Sequence, residues 1–181
     1  MRTLIVEPHA DDAFLSLGHT LCTRAPSEEV AVLTLYVQDA RRIDEGGAYA
    51  KSIGAKGYFY APSPERIAEA LESTLRQFAP DLVLSPFGIQ HPDHLAARAC
   101  VDARGFPRVR YYLDVPYYVR PKNAAAIQAA LAQCAYRVVS IGSPQPEKWK
   151  ALPIFQSQAK FFRLNPPETL RAPEIVLERT P

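Results

Sequence analysis

Residues 3–37 read TLIVEPHADDAFLSLGHTLCTRAPSEEVAVLTLYV. Thr3 to Val6 is a short apolar run that stops at Glu7-Pro8. From Asp11 to Arg24, Phe14, Leu15, Leu17, Leu21 and Cys22 fall on roughly one helical face, and Val30 to Val37 is a second apolar run. Strand, helix and strand in this order form the repeating unit of a parallel sheet covered by helices.

The alternation continues outward. QDARRIDEGG leads into a short helix ending at Gly54, and Gly57 to Tyr60 is a third strand. Pro64 sits in the first turn of a helix from Glu65 to Phe78, where a missing N–H costs nothing. Leu82 to Ser85 is a fourth strand that runs into PFGIQHPDH. Leu95 to Asp102 reads as helix and Arg110 to Val115 as strand. Pro121 opens an Ala-rich helix to Cys134, Tyr136 to Ile141 is another strand, and Glu147 to Phe162 reads as one long helix despite Pro153. Residues 165–181 form a Pro-rich tail with one short strand, Ile175 to Leu177. The expected architecture is α/β with a mostly parallel sheet, in a single domain over residues 1–181.

The chain has 181 residues, 48% of them hydrophobic, which is enough apolar content for a core and speaks against disorder. Its formal charge of +2 is too small for a counterion-driven nucleic-acid binder or a polybasic membrane surface. Small-molecule partners fit better, and a homo-oligomer is compatible with the composition. Cys22, Cys100 and Cys134 form no CxxC pair or disulfide framework, which points to a reducing, cytoplasmic location. The apolar run at the start is too short for a signal peptide or a membrane span.

Two segments concentrate titratable groups at strand ends, where open parallel sheets bind ligands. Glu7-Pro8-His9-Ala10-Asp11-Asp12 follows the first strand, and Gln90-His91-Pro92-Asp93-His94 follows the fourth, so three of the four histidines lie in these loops. His9 and Asp12 are three apart at a helix entrance and face the same way. His94, at another helix start, can supply a third ligand, giving two His and one carboxylate with an open coordination position, the usual form of a catalytic zinc site. Asp11 would lie beside the metal as general base for a bound water. His91 could donate to an oxyanion, and Asp93 could orient His91 and favour its cationic form. The same donor set also suits a non-haem Fe(II) enzyme, although those triads usually sit on β-sandwiches. A non-catalytic sugar-binding protein is the rival from another class.

PHADDAFLSLG resembles the PHxDDxxLxxG motif of the PIG-L/LmbE-like N-acetylglucosaminyl deacetylases, and PFGIQHPDHLAA resembles their HPDH motif. Arg42 to Gly54 (RIDEGGAYAKSIG) and KWKALPIFQSQ near the C-terminus are similar to weaker family marks, all in the family's order. The resemblance implies a Rossmann-like three-layer sandwich and a zinc-dependent hydrolase that removes an N-acetyl or other N-acyl group from an amino sugar or glycoconjugate, with iron(II) as the alternative metal. It implies His9, Asp12 and His94 as ligands, Asp11 as base, His91 as oxyanion stabiliser and Arg42 as a sugar-side residue. Some members carry a Tyr where this chain has Ile89. The length, short for the family, predicts few covering loops and a wide cleft.

Overall fold

The expected alternation is realised in a computed structural model that describes residues 1–37, 39–60, 66–133, 136–142, 146–164 and 168–180. β1 (Arg2–Glu7), β2 (Glu29–Thr34), β3 (Lys56–Phe59), β4 (Leu82–Pro86) and β5 (Val109–Tyr112) are parallel. β7 (Glu174–Arg179) runs antiparallel to β5 and to β6 (Tyr136–Gly142), giving a seven-stranded sheet in the order β3-β2-β1-β4-β5-β7-β6.

Side chains alternate across the strands, so the central strand β1 feeds two cores. Ile5 packs with Phe14, Leu17 and Leu21 of α1 (Asp12–Thr23) and with Tyr49 of α2 (Ala40–Ser52). Leu4 and Val6 pack on the other face with Ile67, Ala70 and Leu71 of α3 (Ile67–Phe78) and with Ala97 and Val101 of α4 (Pro92–Ala103). These are the layers of the expected three-layer α/β sandwich. α5 (Ala124–Gln133) adds Ile127 to a smaller cluster around Phe87 and Tyr111. From β1 the chain builds β2 and β3 along one edge, then crosses to place β4 on the other. The switch point between the ends of β1 and β4 therefore receives both His/Asp loops.

Three expectations are corrected. The long helix over 147–162 is broken: α6 (Pro146–Ala151) gives way to 3-10 turns at Leu152–Ile154 and Gln156–Gln158 before α7 (Ala159–Leu164). Pro153 has no N–H and its ring crowds the carbonyl four residues back, so the helix stops there. The break turns Phe155 inward, where it is 1% exposed.

The tail is more than a short irregular strand. After α8 (Glu168–Arg171), β7 lies inside the sheet, between β5 and β6. Glu174 at its start is buried and accepts the N–H groups of His19 and Thr20 at 2.7 and 2.9 Å. The buried Lys148 of α6 lies 3.2 Å from it. Gly18 leaves room for that lysine, since a Cβ there would sit 3.3 Å from Lys148 Cγ.

Finally, Pro92 is the first residue of α4 rather than part of the preceding loop, which brings Asp93 and His94 into the first helical turn. The expectations at Pro64, Glu65 and Cys134, and the tail prolines Pro166, Pro167 and Pro181, lie outside the described residues. Among the described residues no helix is long and apolar enough to cross a membrane.

Candidate metal centre

The turn after β1 folds on itself. The His9 N–H donates to Asp12 Oδ2 at 2.8 Å, and the Asp12 N–H donates to the His9 carbonyl at 3.1 Å. This closure puts His9 Nδ1 at 3.3 Å from Asp12 Oδ2. From the β4 side, His91 is the N-cap of α4, its Nδ1 accepting the Asp93 N–H at 3.3 Å. His94, one turn in, is fully buried, and its Nε2 lies 3.3 Å from the same Asp12 oxygen.

The donor atoms of His9, Asp12 and His94 all lie within 4.8 Å of one another. The two 3.3 Å separations are those expected across a tetrahedral ion with bonds of about 2.0–2.1 Å, an edge of about 3.3–3.4 Å. His94 Nε2 is also a buried polar atom with no hydrogen-bond partner, which a coordinated ion would resolve. The residues therefore fit a divalent metal. A second group with similar spacing, His9, His91 and Asp93, is less buried and has no such orphaned atom.

Charge reinforces the geometry. Burial pulls the His94 pKa down, but Asp12 and Asp114 outweigh it and push the ring up to about 10. Burial likewise pushes Asp12 up, yet His94 and His9 hold its carboxyl well below the usual range.

Asp11 begins α1 without capping it, so the simplest reading of this acid, a helix cap, does not apply. Its Oδ1 instead accepts from Arg42 Nη2 at 2.6 Å. Burial and the charge of Asp12 raise its pKa, with Arg42 opposing. Arg42 is thus brought to the centre, whereas Arg41 faces outward and pairs with Glu45 at 3.3 Å.

Asp93 departs from its expected role. Its Oδ2 lies 2.9 Å from His9 Nε2 but 3.9 Å from His91 Nδ1, so the ring it orients is that of His9. Burial and the charges of His9 and His94 lower the His91 pKa, with Asp93 opposing as expected, and its Nδ1 accepts the Asp93 N–H.

His9, Asp11, Asp12, Arg42 and His91 line a cavity of about 200 Å3 that is also walled by Leu15, Pro116, Tyr117, Gln158 and Phe161. The expected wide cleft is narrowed by the segment that follows the Pro153 break. Phe155 stacks on Phe14 at 4.8 Å, and Glu45 accepts from the Ser157 N–H and Oγ at 2.7 and 2.5 Å.

Sequence reasoning missed Tyr117, Phe161 and Asp114, and marked Gln158 only as the end of the KWKALPIFQSQ stretch. Asp114 offered the same signal as the first loop, an acid at the end of an apolar strand, but the expected strand ran through it. Tyr117 gave no local signal. Its ring lies 5.1 Å from that of His94, and burial pushes its hydroxyl up to about 12.

Comparison with protein-family models and with curated proteins finds no match. Among solved structures, the chain is similar to a deacetylase in the biosynthesis pathway of teicoplanin, solved as a bog complex, with a TM-score of 0.74 and 21% identity over 99% of each chain. A deacetylase–teicoplanin complex from the same pathway gives 0.70 and 20% over 100% of each. The deacetylase of an antimicrobial pseudoaglycone gives 0.67 and 23%, over 90% of this chain and 84% of that one. At these identities the likeness establishes one thing: this chain has the α/β fold on which those deacetylases are built.

Proposed function

We propose that this chain is a metal-dependent amide hydrolase that removes an N-acetyl group from an amino sugar or glycoconjugate. The observation that carries this reading is the buried Nε2 of His94, which makes no hydrogen bond and lies 3.3 Å from Asp12 beside His9, with Asp11 alongside. Zinc suits this N/O donor set, and iron(II) suits it as well. An ion held by His9, Asp12 and His94 would supply Lewis acidity and lower the pKa of a water from about 15.7 toward about 7.

The remaining chemistry belongs to the chain. Asp11, made more basic by burial and by Asp12, accepts the proton of the attacking water. Arg42, 2.6 Å away, keeps that carboxylate ionised and aimed. The same proton then passes to the departing nitrogen as the amide C–N bond breaks, leaving acetate and an amine. His91 carries its hydrogen on Nε2, because Nδ1 is already an acceptor, and donates to the carbonyl oxygen as negative charge grows there. Such a donor contributes about 2.7–4 kcal/mol.

A cavity of about 200 Å3 is smaller than the usual ~300–1,000 Å3 of a small-molecule site. It suits the reacting sugar, with the rest of the acceptor lying outside. Fold neighbours that are deacetylases, one of them in complex with teicoplanin, support a glycoconjugate acceptor. We take residues 1–181 as one catalytic unit acting in a reducing compartment such as the cytoplasm.

The test is acetate release from a panel of N-acetylated sugars and glycosides, with added zinc and after chelation. Release that chelation abolishes and zinc restores is expected. No release by the zinc-loaded protein, or release indifferent to chelation, would overturn the reading.

A further inference from the structure

The mechanism above makes no use of Asp114, a fully buried carboxylate just past the end of β5. The hydrogen bonds of its carboxylate lead to the candidate metal centre. Oδ1 lies 2.9 Å from His94 Nδ1, and Oδ2 accepts the N–H groups of Gly88 and Ile89 at 2.8 and 3.0 Å. A carboxylate can only accept, so the hydrogen in the first contact is on His94 Nδ1, and the lone pair of the neutral ring is left on Nε2. That nitrogen is the orphaned one facing Asp12.

The second oxygen acts on the main chain. Gly88 and Gln90 have φ of +77° and +61°, so the path from β4 to His91 passes twice through the left-handed region. Such a turn persists where the surroundings hold it, and the two bonds to Asp114 do so from one side. A Cβ at Gly88 would also crowd the His94 carbonyl oxygen at 3.3 Å.

We propose that Asp114 is a positioning residue that makes Nε2 the metal-facing nitrogen of His94 and fixes the turn from which His91 enters the cavity. This rests on the metal-centre reading above. It differs from the contact of Asp93 with His9 Nε2 in one respect: the Asp93 side chain is 31% exposed, whereas that of Asp114 is 0% exposed. Water can replace a lost partner at His9 but not at His94.

Asp114→Asn tests this with almost no change of shape. If the amide oxygen keeps the two main-chain bonds, the NH2 group faces His94 Nδ1, donates to it and drives the ring hydrogen onto Nε2, where it blocks ligation. If the amide flips, its NH2 meets two N–H donors and the turn loses its anchor.

Zinc affinity, measured by chelator competition, should fall by about 10–100-fold, with the far-UV spectrum of the metal-free variant unchanged. Asp93→Asn should lower it less. Long-range 1H–15N correlation on the zinc-loaded wild type, which needs no variant, should place the His94 ring hydrogen on Nδ1. Wild-type affinity in Asp114→Asn, or a ring hydrogen on Nε2, would overturn the assignment. Failure of the wild type to bind zinc at all would instead remove the metal reading on which it rests.

Discussion

Replacing Phe155 by Ala should destabilise the protein and loosen the cavity at the candidate metal centre while leaving His9, Asp12 and His94 in place. Phe155 is 1% exposed, stacked on Phe14 with ring centroids 4.8 Å apart and tilted against Tyr49 at 5.5 Å. Truncating such a ring typically costs about 3–5 kcal/mol, because the transfer term and the cavity term add. Of this, about 0.5–1.5 kcal/mol belongs to the aromatic pair itself and should appear as coupling in a double-mutant cycle with Phe14→Leu. For a chain of this size the melting temperature should drop by about 6–20 °C.

The functional consequence follows from position. Phe155 lies two residues before Ser157, which is bonded to Glu45, and three before Gln158, which lines the cavity. Without the ring, the segment loses its most buried anchor and keeps the Glu45 bonds and the packing of Leu152 and Ile154 on the core. The KM for a substrate that releases acetate should therefore rise more than kcat falls, with zinc affinity unchanged. Urea denaturation at several temperatures, chelator competition and steady-state kinetics check the three parts. A loss below 1 kcal/mol, or kinetics equal to wild type, would refute the view that the Pro153 break folds this segment onto α1 and α2 as a cavity wall.

Asp11→Asn should retain stoichiometric zinc by elemental analysis and lose about 10²–10⁴-fold in kcat, as expected for a general base; near-normal turnover would remove that role. Burial raises Glu7 from 4.5 to about 8, so the folded protein resists its ionisation and loses stability as pH rises from 4.5 to about 8. Glu7→Gln can still accept from the Ala13 N–H and donate to Thr34 Oγ1, so in urea denaturation it should match wild type near pH 4 and exceed it increasingly toward pH 8. In the metal-free protein, against burial, Asp12 and Asp114 push His94 up to about 10, above the ordinary imidazole value of 6.5. The resulting stabilisation is fully present below pH 6.5 and is lost as pH rises through 10, so chelated Glu7→Gln should still lose stability between pH 7 and 9.5, and a flat profile would contradict the charge arrangement around His94.

Much of the centre was legible because its residues belong to two short contiguous stretches. A strand end followed by a helix start fixes His9, Asp11 and Asp12 relative to one another with little help from elsewhere, and the same holds for His91 and His94 around the start of α4. Their meeting followed from the strand order, since alternation of strands and helices implies a parallel sheet and a switch point beside β1. Asp93 was misjudged because proximity in sequence favoured His91. The helical turn that starts at Pro92 instead aims its carboxylate across the crevice at His9.

The sequence by itself thus determined the fold class, the two His/Asp loops and the candidate donor set, all of which depend on local periodicity, turn chemistry and residue type. Tertiary structure alone decided the partners that arrive from a distance. Arg42 reaches Asp11 from α2, Asp114 reaches His94 from the end of β5, and the chain after Pro153 closes the cavity. It also decided that the Pro-rich tail ends in an interior strand, β7, which pairs with β6 over Glu174–Arg179 and with β5 over Val176–Glu178. Side chains and strands far apart in sequence meet for reasons of packing and hydrogen-bond satisfaction across the whole core, and no local pattern records those.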